Sequence, residues 1–237
     1  MNTTTTPPKK EFTGDKKNLV HFLVPYEQKF LDAAVPHVPA YIGTTHLTLM
    51  TILWSGIIIM AGYLAQANVH WLWLLNTCIV LQYMTDMLDG AVGRARNTGL
   101  VKWGFYMDHF LDYVFLSSII VGYSFMLPQS YLFLSLLCLA FCVGFMVHVF
   151  LDFSVTNNFK ISCNYFGVSE LRLVLIVFNV GLIVLGKGLL IQVFPFFVGG
   201  AFLALCVLVY RSQKVYNHLD AIYQATQAKD TQKKRCL

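Results

Sequence analysis

Four aspartates, Asp86, Asp89, Asp108 and Asp112, lie inside or at the ends of segments otherwise apolar enough to be transmembrane helices. An ionised carboxylate is costly in a bilayer, so such residues face a bundle interior or a polar cavity and mark functional sites. Their spacing constrains the fold further. Asp86 and Asp89 are three apart and Asp108 and Asp112 four apart, and positions i, i+3 and i, i+4 share one helix face. Asp86 and Asp89 are therefore expected to project together from the end of one helix, and Asp108 and Asp112 from the beginning of the next. A short polar turn, Arg96-Asn97-Thr98-Gly99, reverses the chain between them. The four carboxylates are predicted to converge at one depth.

The remainder of the chain agrees with a membrane setting. With 57% hydrophobic and 12% charged residues and a mean hydropathy of +0.60, it is not an ordinary soluble domain. Apolar stretches of about the 20 residues that cross a bilayer fall near 46–66, 71–93, 103–127, 131–153, 169–187 and 189–210. The predicted fold is all-α and integral to the membrane, with six transmembrane helices plus an N-terminal amphipathic interfacial helix. The second and third spans reach full length only if their aspartate-bearing ends are helical, as expected where those ends border a polar cavity.

Among the 17 lysines and arginines, only Lys187 falls on one side of these spans. The positive-inside rule then predicts a multi-pass protein with both termini and the aspartates on the cytoplasmic side. The net charge of +5 reads as a topology and anionic-lipid signal, so membrane lipids are expected partners and nucleic acid is not. Residues 1–18 are polar, rich in Thr and Lys, and expected to be disordered. Residues 19–38 alternate apolar with polar positions between Pro25 and Pro36, which fits an amphipathic surface helix, with a solvated linker as the alternative. Residues 40–212 form the membrane domain, and 213–237 a charged cytoplasmic tail that extends the last helix and frays. The six cysteines show no paired metal-ligand spacing.

A cluster of up to four negative charges in a poorly solvated place must either protonate or hold cations. Hard oxygen ligands select Mg2+, Mn2+ or Ca2+. Two such ions, roughly 3.5–4 Å apart, serve in-line displacement at phosphorus by stabilising the attacking and leaving oxygens. Gly90, Gly93 and Gly104 would let a ligand approach the backbone closely. Arg94 would supply a guanidinium for a phosphate.

The whole pattern, Asp86-x2-Asp89-Gly90-x2-Gly93-Arg94-x9-Gly104-x3-Asp108-x3-Asp112, resembles the signature of the CDP-alcohol phosphotransferases at every position but one. Gly93 stands where that family usually has Ala. The resemblance implies an enzyme that binds the nucleotide end of a CDP-alcohol donor beside two Mg2+ or Mn2+ ions. An acceptor hydroxyl then attacks the phosphorus and expels CMP. It implies Asp86, Asp89, Asp108 and Asp112 as metal ligands, with Asp112 also the nearest base. Asp86, Gly90, Gly93, Arg94 and Gly104 would contact the cytidine diphosphate, and a homodimer is expected.

Asp108-His109 resembles the choline and ethanolamine phosphotransferase branch, in which the histidine is implicated in activating the acceptor hydroxyl; a packed or capping histidine is the alternative. Phe166-Gly167-Val168-Ser169-Glu170 resembles that branch's G-P-T-E-like segment, with Val168 and Ser169 replacing Pro and Thr. Glu170 is thus either a catalytic partner of His109 or a helix cap that favours the dipole. The family's Pro-Asn-x-x-Thr segment is replaced by Thr44-Thr45-His46-Leu47-Thr48, which keeps only Thr48. His148 and Asp152 share a face, either as a hydrogen-bonded pair or toward the substrate cavity. Lys160, Arg172 and Asn179 are candidate contacts to an anionic head group, with capping or solvated roles as the alternative for the two cations.

Two donors compete. A CDP-ethanolamine or CDP-choline donor with a diacylglycerol-like acceptor is favoured by His109 and Glu170. A CDP-diacylglycerol donor with a small polar alcohol such as glycerol phosphate, inositol or inositol phosphate is favoured by the short six-span length. An ion-coupled transporter using intramembrane carboxylates would show repeated halves, and no internal repeat is present.

Overall fold

The computed structural model describes residues 23–98, 100–156 and 168–235. The polar N-terminal 18 residues, residues 19–22, Gly99, Lys160, Cys163, the Phe166-Gly167 pair and Cys236 lie outside them. Seven α-helices occur among the described residues, with no strand: α1 Val24–Ala34, α2 Thr44–Ala65, α3 Leu72–Ala95, α4 Val101–Met126, α5 Leu132–Thr156, α6 Val168–Leu185 and α7 Gly188–Arg235. Four stretches are long and apolar enough to cross a bilayer: Thr44–Ala65, Val101–Met126, Gln129–Thr156 and Gly188–Gln227. The other two long helices carry charge, Asp86, Asp89 and Arg94 on α3 and Glu170 and Arg172 on α6. The structure therefore supports four spans by length and composition, where six were expected.

Local chemistry sets the helix ends. The Gly43 N–H donates to His46 Nδ1 at 3.1 Å, satisfying a donor at the start of α2. Asn68 accepts from the His70 N–H at 3.0 Å in the turn before α3. After α3 the chain turns through Asn97 at φ 49°, a left-handed conformation that asparagine tolerates. Gly186 at φ 84° ends α6, its N–H bonded to Leu182 O.

α2 is the hub, and its contacts with α3 and α4 are the most extensive in the molecule. It runs against α4 backbone to backbone. A Cβ on Gly62 would lie 2.4 Å from Gly122 Cα, the close approach that small residues permit between membrane helices. Around this contact Ile58, Leu72, Leu75, Ile79, Phe115 and Leu182 are buried. A polar ladder crosses the same core. The Tyr123 hydroxyl donates to Asn179 Oδ1 and Asn179 Nδ2 donates to Asn76 Oδ1, both at 2.7 Å, tying α4, α6 and α3. Asn179, a candidate head-group contact from sequence, is instead fully buried in this ladder.

Gly122, Gly144 and Gly181 each sit at a close helix contact within the chain. A Cβ on Gly144 would fall 2.8 Å from Leu205 Cδ2, and one on Gly181 3.4 Å from Leu189 Cδ2. The outward faces of α5 and α7 are broadly apolar and exposed, as at Phe133 and Phe196. α7 is one helix of 48 residues. At 1.5 Å per residue it is roughly 70 Å along its path, about twice the hydrocarbon thickness, so the sixth span and the described part of the expected tail are one continuous helix with Pro195 inside it.

α1 and the turn Val35–His37 account for the described part of the amphipathic segment, with Pro25 in the first turn and no buried residue. Arg96 holds the linker that follows. Its guanidinium donates to the carbonyls of Ile42 at 2.6 Å, Val38 at 2.7 Å and Pro39 at 3.2 Å.

Candidate active site

One end of the bundle gathers the C-terminal part of α3, the N-terminal halves of α2 and α4, the start of α6, and α1. Asp86 and Asp112, from successive helices, meet at one cation: Arg172 Nη2 lies 2.9 Å from Asp86 Oδ2 and 3.5 Å from Asp112 Oδ1. The arginine is 4% exposed, while the two carboxylates keep 22% of their side-chain surface open. The guanidinium lies 5.3 Å from the Tyr83 ring centre and 5.9 Å from that of Phe115, within cation–π range. Arg172, a candidate head-group contact from sequence, here faces Asp86 and Asp112.

Asp89 is buried and turned toward α2, where the Thr48 hydroxyl donates to its Oδ2 at 2.8 Å. The Thr44 hydroxyl also donates to the Asp89 carbonyl at 3.3 Å. Thr48 thus fixes one carboxylate despite the altered segment around it. Asp108 Oδ2 lies 3.9 Å from His109 Nδ1. His109 itself is buried, with its ring edge-on to Phe105 at 4.4 Å and tilted to Phe150 at 5.9 Å. Its surroundings are those of a packed histidine with one face toward Asp108.

The glycines divide. Gly93 faces α2, and a Cβ there would lie 3.0 Å from the Thr44 hydroxyl, so its small size serves helix packing. A Cβ on Gly90 would come 3.3 Å from the exposed Arg94 guanidinium, and one on Gly104 would meet open space. Arg94 is exposed.

A second layer escaped the sequence reading. Glu27 on α1 accepts from the Tyr83 hydroxyl at 2.5 Å and from the Ser169 hydroxyl at 2.8 Å. The surface helix is thereby tied to the ring that flanks Arg172. Glu170, next to Ser169, is buried in the first turn of α6. The Tyr83 ring at helical spacing from Asp86 was the signal available, since i and i+3 share a face. Asp152 accepts from the Tyr216 hydroxyl of α7, so the expected His148–Asp152 pair gives way to a tie between α5 and α7.

The arrangement is a membrane bundle with a polar end in which carboxylates outnumber buried guanidinium groups. The family model for CDP-alcohol phosphatidyltransferase matches residues 41–210, and the chain belongs to that family. It is thereby placed among transferases that move a phosphate group from a CDP-alcohol in phospholipid synthesis, which sets aside the transporter alternative. Searches of curated proteins and of solved structures returned no match.

The divalent ions such chemistry uses can be tested against the residues present. No set of three His, Cys, Asp or Glu side chains among the described residues is already gathered around a metal position. The donor set nevertheless fits a hard cation. Asp86 and Asp112 already converge on one positive nitrogen, and Asp89 and Asp108 lie on the same two helices. Four aspartates against a single buried guanidinium leave a surplus of negative charge that a dication would relieve.

Proposed function

We propose that this chain transfers a phosphoalcohol from a CDP-ethanolamine or CDP-choline type donor to a diacylglycerol-like acceptor, releasing CMP. In this reading all six long helices cross the membrane, with both termini and the aspartates cytoplasmic. The observation that carries the choice of acceptor is His109, buried with its Nδ1 3.9 Å from Asp108 Oδ2, the Asp-His pairing that resembles the choline and ethanolamine phosphotransferase branch.

Asp86, Asp89, Asp108 and Asp112 would hold Mg2+ or Mn2+, which when bound supplies charge neutralisation on the diphosphate and at the attacking and leaving oxygens. Thr48 presets the Asp89 carboxylate, so less reorganisation accompanies binding. Arg94 binds the outer phosphate from the rim. Gly90 and Gly104 leave room for the cytidine diphosphate. Asp112 is the nearest base for the acceptor proton, and His109 can polarise Asp108 or relay a proton from it. A groove of about 450 Å3 lies between α1, the start of α2 and the C-terminal part of α3, lined by Phe30, Ala33, Val38, Pro39, Leu47 and Leu88. Its apolar walls suit an acyl chain, with the hydroxyl to be phosphorylated lying toward the aspartates. Homodimerisation belongs to the same reading, through faces other than Gly122, Gly144 and Gly181.

The test is purified protein in lipid and detergent with Mg2+ and labelled CDP-ethanolamine, CDP-choline or CDP-diacylglycerol, each with a panel of acceptors. The expected result is label passing from a CDP-amino alcohol into lipid together with CMP release. CMP release only with CDP-diacylglycerol and a soluble alcohol would overturn the assignment of donor and acceptor.

A further inference from the structure

We propose that Arg172 is an exchangeable internal counter-cation. It holds Asp86 and Asp112 together when the site carries no divalent ion, and it yields those oxygens when an ion binds. The inference rests on the reading of the aspartates as a metal site.

Three observations support exchange over a permanent tie. First, a single nitrogen, Nη2, serves both carboxylates, whereas a structural arginine–carboxylate pair is usually a two-nitrogen fork. Second, Arg172 Nε is buried with no hydrogen-bond partner among the described residues. A buried donor left unmade is destabilising, so this perch is not the best the guanidinium could have. Third, the Tyr83 and Phe115 rings flank the guanidinium independently of the carboxylates. They offer a cation a favourable surface whether or not the aspartates are engaged. Tyr83 is itself held by Glu27, so this surface is fixed.

Electrostatics supplies the driving force. Without a cation, Asp86 and Asp112 would repel one another in a poorly solvated place. A guanidinium and a dication cannot occupy the same oxygens, and the dication carries twice the charge. The carboxylates are partly open while the arginine is enclosed, so an arriving ion reaches the carboxylates from the open side. The resting site is thereby kept organised, and the arginine sets a threshold on metal occupancy.

The experiment measures Mn2+ binding to the full chain in detergent after chelator treatment, from the loss of the free Mn2+ electron paramagnetic resonance signal. Melting temperatures are read with and without Mn2+. Arg172→Gln removes the competing charge, and the dissociation constant for Mn2+ is expected to fall about tenfold or more. Its melting temperature should drop below wild type without metal and recover with it. Arg172→Lys keeps the charge but loses the planar fork, and a smaller gain in affinity, about threefold, is expected on the same Coulomb grounds. It also serves if the Gln variant does not fold. Wild-type binding with equal or weaker binding in the variants would overturn the inference and leave the metal reading intact. Absence of Mn2+ binding in the wild type and both variants would overturn the metal reading, and this inference with it.

Discussion

Replacing Gly62 by Ala adds one methyl group at the place where α2 and α4 touch. Its Cβ would lie 2.4 Å from Gly122 Cα, 2.5 Å from Gly122 O and 2.7 Å from Gly122 C. All three are backbone atoms, so no side chain can swing aside. Relief to an ordinary carbon–carbon separation of about 3.5–4.0 Å needs the helices to part by more than 1 Å locally. Overpacking of this kind costs about 1–3 kcal/mol when side chains can adjust, and here the upper end is expected. The reciprocal change is different. A Cβ on Gly122 would meet Ile58 O at 3.4 Å and Gly62 Cα at 3.7 Å, ordinary contact distances. Ala in place of Gly also gains up to about 1 kcal/mol of helix propensity, so Gly122→Ala should be neutral or slightly stabilising. With the same propensity gain of up to about 1 kcal/mol set against the clash, Gly62→Ala should lower the melting temperature in detergent by about 4–8 °C, monitored by fluorescence or size-exclusion melting. Gly122→Ala should leave it unchanged or raise it by up to about 4 °C on the same scale. Activity should follow, because α2 carries Thr48 and α4 carries Asp108 and Asp112. Equal melting temperatures for the two variants, or a worse Gly122→Ala, would refute the backbone-contact argument.

Other outcomes follow from the same geometry. Asp89→Asn or Asp108→Asn should abolish transfer with expression near normal, and full CMP release by either variant would remove that residue from the metal set. Thr48→Val deletes the 2.8 Å hydrogen bond to the buried Asp89 carboxylate. Bonds to charged groups are worth about 1.5–3 kcal/mol, so transfer should drop roughly ten- to hundredfold by CMP release, and an unchanged rate would show that Asp89 does not need presetting. Glu27→Ala and Arg96→Ala each cut one tie of the N-terminal helix and its linker. Limited proteolysis should then cleave within residues 38–43 faster than in wild type while the bundle stays intact.

The helix positions were legible because bilayer physics writes them into composition. The stretch expected at 103–127 is the helix Val101–Met126, and that at 131–153 lies within the span Gln129–Thr156. Asp86, Asp89, Asp108 and Asp112 stood out for the same reason, since charge is rare where hydrocarbon is the solvent. The end of the last helix was less legible, because a polar continuation of α7 and a polar loop have similar compositions. Asp152 shows another limit. His148 four residues earlier is its neighbour by helical spacing, yet its partner is Tyr216 on a different helix.

Sequence alone determined that the chain is an all-helical membrane protein of a phosphate-transferring family, with aspartates paired on two successive helices. Periodicity and hydropathy act along the chain, and those features are local to it. Only the tertiary structure decided that Arg172, 60 residues from Asp112 and 86 from Asp86, is their counter-ion, that Glu27 binds Tyr83 and Ser169, and that Gly62 and Gly122 close on each other. Each depends on how helices rotate and approach across the bundle, which is set by side-chain packing summed over many contacts and is invisible to any spacing rule.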